Sequence, residues 1–114
     1  MEQMNRIELK GIVGSVRPGG TADRRAANFS LATSRAYTKK DGAAVIDTDW
    51  HNVVAWEGGR IPSLDKIEKG AKLHIIGRMK YNKWTSSDGV ERTDAEVQAS
   101  QIETIDEDLS SQMS

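Results

Sequence analysis

The 114-residue chain has no cysteine, only two prolines, a single phenylalanine and no long apolar run. Without cysteine there is no disulfide framework, no thiolate metal site and no cysteine nucleophile. The same absence fits a reducing compartment. No apolar stretch approaches the roughly 20 residues that span a bilayer, and Met1–Lys10 lacks the apolar core of a secretory signal. The expectation is a soluble cytoplasmic protein. Its length accommodates one hydrophobic core but not two.

Charge is scarce in sum but not in distribution. The formal net charge is −1, with 16 basic and 17 acidic residues. Four of the acidic ones, Glu103, Asp106, Glu107 and Asp108, follow Ile102, and no basic residue does. A mildly basic body therefore precedes an acidic end. The aromatics are skewed as well: three Trp and two Tyr stand beside the lone Phe29. A core short of rings uses Phe first, because a buried indole N–H needs a partner. Some of these rings are therefore expected outside the core.

Turn-forming stretches fall at Arg17–Arg25, Lys39–Gly42, Gly58–Pro62, Gly70 and Ser86–Gly89. Between them lie five segments of strand character: Ile7–Val16, Asn28–Tyr37, Asp49–Trp56, Leu73–Trp84 and Val90–Ile102. Gly11 and Gly14 inside the first mark a bulge or a close approach. After Pro62, Ser63 is placed to cap a helix of barely two turns, with Leu64 and Ile67 as its apolar pair and Gly70 at its end. Three strands, a short helix and two strands is the order of the five-stranded all-β OB barrel, whose helix lies between strands three and four. An SH3-like barrel is the structural competitor, but it usually has no helix at that point. Residues 1–105 form the expected domain, and 106–114 read as a short acidic flexible tail.

Period-two bookkeeping separates the faces. In the third strand Trp50, Asn52, Val54 and Trp56 share one side, and His51, Val53 and Ala55 the other. In the fourth, Leu73, Ile75, Gly77 and Met79 form an apolar set opposite His74, Ile76, Arg78, Lys80, Asn82 and Trp84. A face carrying Arg78, Lys80 and Trp84 is not core, since its charges would need buried partners. Cations interleaved with flat rings suit a single-stranded nucleic acid: the cations neutralise phosphates, and the rings stack on bases of any identity. For Trp50 and Trp56, periodicity alone leaves core packing and ligand platform both open. Trp84 beside Lys83, and Tyr37 between Arg35 and Lys39, favour binding.

Catalysis finds little support. His51 and His74 are the only histidines and, without cysteine, cannot make the usual zinc sites unaided. Asp47 and Asp49 read as solvated loop carboxylates. The stretch GGRIPSLDK lacks the Gly-Lys-Ser/Thr ending of a phosphate loop. No catalytic residue, metal or cofactor is expected.

These residues resemble the bacterial single-stranded DNA-binding proteins. MNRIELKGIVG (Met4–Gly14), NFSLATS (Asn28–Ser34), TDWHNVVAW (Thr48–Trp56), KIEKGAKLHIIGRMKYNKW (Lys66–Trp84) and DGVERTDAEV (Asp88–Val97) follow in that family's order, across residues 4–105. The resemblance implies an OB-fold homotetramer, or a dimer, that binds and protects single-stranded DNA during replication, recombination or repair without sequence preference. It implies stacking by Tyr37, Trp50, Trp56 and Trp84, backbone contacts from Lys69, Lys80 and Lys83, and His51 near a subunit contact. Arg35 and Arg78 join the basic set from the face argument alone. Asn52 stands where the family often has Arg. The family's long linker and Pro-Phe tip are not matched by the ending LSSQMS, so recruitment of replication enzymes through the tail is not expected. An OB-fold protein-interaction subunit and an RNA-binding accessory subunit are the alternatives.

Overall fold

The computed structural model describes residues 1–61 and 63–105; Pro62 and the acidic segment 106–114 lie outside the described residues. Five strands, β1 (Ile7–Gly20), β2 (Arg25–Thr38), β3 (Ala44–Trp56), β4 (Lys72–Thr85) and β5 (Glu91–Thr104), close into a barrel in the order β1-β2-β3-β5-β4. All neighbours are antiparallel except β3 and β5, which meet in parallel at Val53–Val97 and Val54–Gln98. This is the connectivity of the OB barrel.

Alternation fills the interior. Leu31, Val53, Ala55, Leu73, Ile75 and Val97 are essentially inaccessible, joined by Val13, Phe29 and Ile102. No polar or charged residue is buried among the described residues. Two bulges keep the pattern in phase. Val97 and Ile102 both point inward although five residues apart, because Ser100 is extra in the β4–β5 ladder, where Ile76 faces Gln101 and Gly77 faces Ala99. Its hydroxyl donates to the Ile76 carbonyl at 3.0 Å. In β1 the register shifts between Val13 and Val16, at the Gly14 anticipated from sequence. The Ser15 N–H left over there donates to Ser30 Oγ at 3.0 Å.

The helix is shorter than the sequence suggests. A single 3-10 turn, Leu64–Lys66, is capped as expected by Ser63, whose side chain accepts from the Asp65 N–H. Buried Leu64 and Ile67 close one end of the barrel. It stops at Ile67, whose backbone is extended (φ −88°, ψ 95°). The chain then joins β1: the Gly70 N–H donates to the Val13 carbonyl (2.9 Å) and the Val13 N–H donates to the Ala71 carbonyl (2.9 Å).

The strands run past their expected ends. β3 begins at Ala44, and β1 continues through Arg17–Gly20, a stretch expected to turn. The β2–β3 and β4–β5 ladders thereby project from the barrel as two hairpin arms. Each arm ends in the same chemistry, an Asp-Gly pair with the glycine at positive φ, +90° at Gly42 and +83° at Gly89. The preceding aspartates hold the turns, Asp41 accepting from the Ala43 N–H at 2.9 Å and Asp88 from the Val90 N–H at 3.3 Å.

Candidate nucleic-acid interface

None of the three tryptophans belongs to the core; the one phenylalanine does. Trp50 and Trp56 occupy the outer face of β3, six residues or about 20 Å apart on an extended strand. Asn52 and Val54 lie between them. Trp50 is 63% exposed and rests on Gly14, where a β-carbon would come within 2.4 Å of its Cζ3 and 2.9 Å of Ser30 Oγ. Gly14 thus supplies the flat seat for the ring.

A groove of about 380 Å³ runs beside this row. Ser15 and Arg17 of β1, Asn28 and Ser30 of β2, and Asn52 and Val54 of β3 line one side; Asn82, Asp94 and Glu96 of the β4–β5 arm line the other. Trp84 stands at the arm's edge of this groove, 44% exposed, its indole N–H donating to Asp94 Oδ2 at 2.8 Å. That bond satisfies the ring's polar edge and leaves its π faces for other contacts. Asn82 donates likewise to Glu96.

The remaining expected residues divide between faces. Arg78 and Lys80 share the outer face of β4 with Trp84, as the alternation requires, and Arg78 donates to Gln98 Oε1 at 2.9 Å. Arg78 lines a separate depression with Asn5, Arg6 and Ser100. Lys83 falls on the opposite side of the arm from Trp84, paired with Thr93. Tyr37, 42% exposed, pairs with Val45, and by the unbroken β2–β3 register it faces away from Trp50. The four rings therefore do not form one plane; any strand touching all of them must pass around the β2–β3 arm. Arg35 lies over Tyr37, 5.4 Å from ring centre, and is also ion-paired with Asp47 at 3.8 Å. Exposed Lys69 precedes the Gly70 that bonds to Val13, next to the Trp50 seat. His51 is half-buried on the inner side of β3, and its Nε2 shares a 2.9 Å hydrogen bond with Thr33 Oγ1.

Two residues escaped the sequence reading. Tyr81, 63% exposed on the same side of the arm as Lys83, lies between Lys80 and Lys83, the same flanking signal that singled out Tyr37. Arg24 sits over Trp56, 5.3 Å from the ring centre. No spacing rule links those two positions, which come together only through the β2–β3 ladder.

The comparisons with known proteins agree with this architecture. Residues 4–105 match the Single-strand binding protein family. The single-stranded DNA-binding proteins of Neisseria meningitidis serogroups A and B are each 30% identical over 107 residues, covering 90% of this chain. The chain spans about 60% of the length of those relatives. Among solved structures, the Plasmodium falciparum SSB complex with ssDNA matches with a TM-score of 0.77 at 24% identity, covering 93% of this chain and 98% of that one. A deletion mutant of the single-stranded DNA binding protein from Thermus aquaticus matches with a TM-score of 0.71 at 24% identity, over 90% of this chain and 51% of its own. A five-stranded OB barrel matched over nearly all its described length places this chain in the single-strand binding protein family.

Proposed function

We propose that this protein binds single-stranded DNA without sequence preference, stacking bases on Trp50, Trp56, Trp84 and Tyr37 while Lys and Arg side chains track the phosphates. The observation that carries the reading is the placement of every tryptophan outside a core that holds the only phenylalanine. Exposed indoles beside a polar groove are costly to leave in water and suit a ligand with flat faces. Lys69 and Lys80 supply cations near that surface, while Arg78 in the neighbouring depression and Lys83 on the far side of the β4–β5 arm extend the positive charge to a strand that wraps the arm. Arg35 contributes less, its charge being shared with Asp47. Binding rather than catalysis is the role, and it serves to protect DNA exposed during replication, recombination or repair. Family membership supports assembly into a homotetramer, with His51 close to a subunit contact.

Filter binding of an oligo-dT over a salt series tests this. The logarithm of affinity should fall linearly with the logarithm of salt, by about 0.7 per phosphate neutralised. Absence of binding at low salt contradicts the reading and favours a protein-interaction subunit. Stronger retention by poly-U than by poly-dT would move the assignment to RNA. Light scattering with and without the oligonucleotide reports the subunit number.

A further inference from the structure

We propose that Arg24 is a DNA-backbone contact held in place by Trp56, so that a nucleotide arriving there meets a guanidinium–indole pair instead of a bare ring. This rests on the reading of the β3 indoles as a single-stranded DNA surface. Arg24 closes the β1–β2 connection: the Thr21 N–H donates to its carbonyl at 2.8 Å, and its own N–H donates back to the Thr21 carbonyl at 3.3 Å. The backbone that carries the side chain is thereby fixed. Two contacts then orient the guanidinium. Its central carbon lies 5.3 Å from the Trp56 ring centre, within cation–π range, and Nε donates to the Glu57 carbonyl at 3.4 Å.

Neither contact uses the two terminal nitrogens. Among the described residues Arg24 has no carboxylate partner, and the Glu57 carboxylate next to it is engaged elsewhere, accepting from the Arg25 N–H at 3.0 Å. Its neighbours differ. Arg25 is paired with Asp65 at 3.7 Å. Arg35, the other arginine lying over a ring, is paired with Asp47 at 3.8 Å. Among the described residues, Arg24 alone combines an aromatic seat with a charge that no carboxylate there neutralises. A guanidinium fixed in this way presents its fork of N–H donors to a phosphate with little further loss of side-chain freedom. It also covers part of the Trp56 surface, so stacking at this position includes the guanidinium plane.

The test is oligo-dT filter binding from 50 to 200 mM salt by the wild type, Arg24→Ala, Trp56→Ala, Trp56→Phe and the Arg24→Ala/Trp56→Ala double variant, each with a thermal melt. Arg24→Ala should melt as the wild type does, bind more weakly, and show a salt slope shallower by about 0.7, narrowing its gap to the wild type about 2.6-fold across that range. In the Trp56→Ala background the Arg24 substitution should change little, whereas Trp56→Phe should preserve its effect. Wild-type affinity and slope in Arg24→Ala overturn the proposal, and this variant decides alone if Trp56→Ala melts early. A full Arg24 effect persisting without Trp56 overturns the positioning by the ring. Failure of the wild type itself to bind oligo-dT overturns the underlying DNA reading instead.

Discussion

The Trp50 indole lies on Gly14, so closely that a single added β-carbon would stand 2.4 Å from its Cζ3. The contact joins the β1 bulge to the exposed row of β3. Because the atoms in the way are side-chain atoms, the outer edge of the exposed Trp50 ring and the Ser30 hydroxyl, and none is backbone, Gly14→Ala should tilt the ring and leave the barrel intact. Oligo-dT affinity is expected to fall, by up to the 1–3 kcal/mol of one stacked base, with the melting temperature nearly unchanged. A variant that melts early but binds normally would show that the seat serves packing alone.

Gly11 is the counterpart with the opposite outcome. A β-carbon there would meet the Ala32 carbonyl oxygen at 2.2 Å, and that atom is backbone in the neighbouring strand. Gly11→Ala must force β1 and β2 apart, costing about 1–3 kcal/mol as overpacking does. Chemical denaturation should show a lowered midpoint for Gly11→Ala and a nearly native one for Gly14→Ala.

Trp84 separates binding from stability in the β4–β5 arm. The ring is exposed, and the Asp94 bond is its one hydrogen bond among the described residues. Trp84→Ala should weaken oligo-dT binding by about 1–3 kcal/mol while changing stability by about 0.5 kcal/mol or less. Ile75→Ala, inside the barrel, should do the reverse and cost about 2–5 kcal/mol of stability. Paired binding and melting measurements on the two variants check this.

Acid should loosen the β1–β4 closure. Glu8 on β1 accepts a hydrogen bond from His74 Nε2 at 2.5 Å, and that bond, helped by the charges of His74, Arg6 and Lys10, holds its carboxyl below the ordinary value of about 4.5. A carboxyl lowered by folding contributes stability that is complete above its unfolded value. The contribution is lost as pH falls through that value to the folded one. Melting temperatures between pH 6 and pH 3 should therefore drop more in the wild type than in Glu8→Gln. Parallel curves would show that the bond contributes nothing.

The barrel was legible in the sequence because β3 and β4 alternate without interruption, which separates Trp50 and Trp56 from Val53 and Ala55, and Arg78 and Lys80 from Leu73 and Ile75. The tryptophan excess was a sound guide for the same reason: Phe29 went inside and the indoles did not. Arm lengths were hidden. Beyond Thr33 and before Asp49 both sides of the ribbon are wet, so no burial pattern marks the strand. The 3-10 turn read as a longer helix because Leu64 and Ile67, three apart, fit either period, while the Val13 backbone that captures Gly70 is distant in sequence. Arg24 over Trp56 depends on a cross-strand meeting that residue spacing does not encode.

The most direct measurement is the quenching of tryptophan emission by saturating oligo-dT at low salt. All three indoles lie outside the core, so stacked bases should quench the emission strongly and added salt should restore it. Trp50→Phe and Trp84→Phe should each remove part of the quenched signal. Emission unchanged at saturation, with binding shown independently by retention on a filter, would contradict base stacking on these tryptophans.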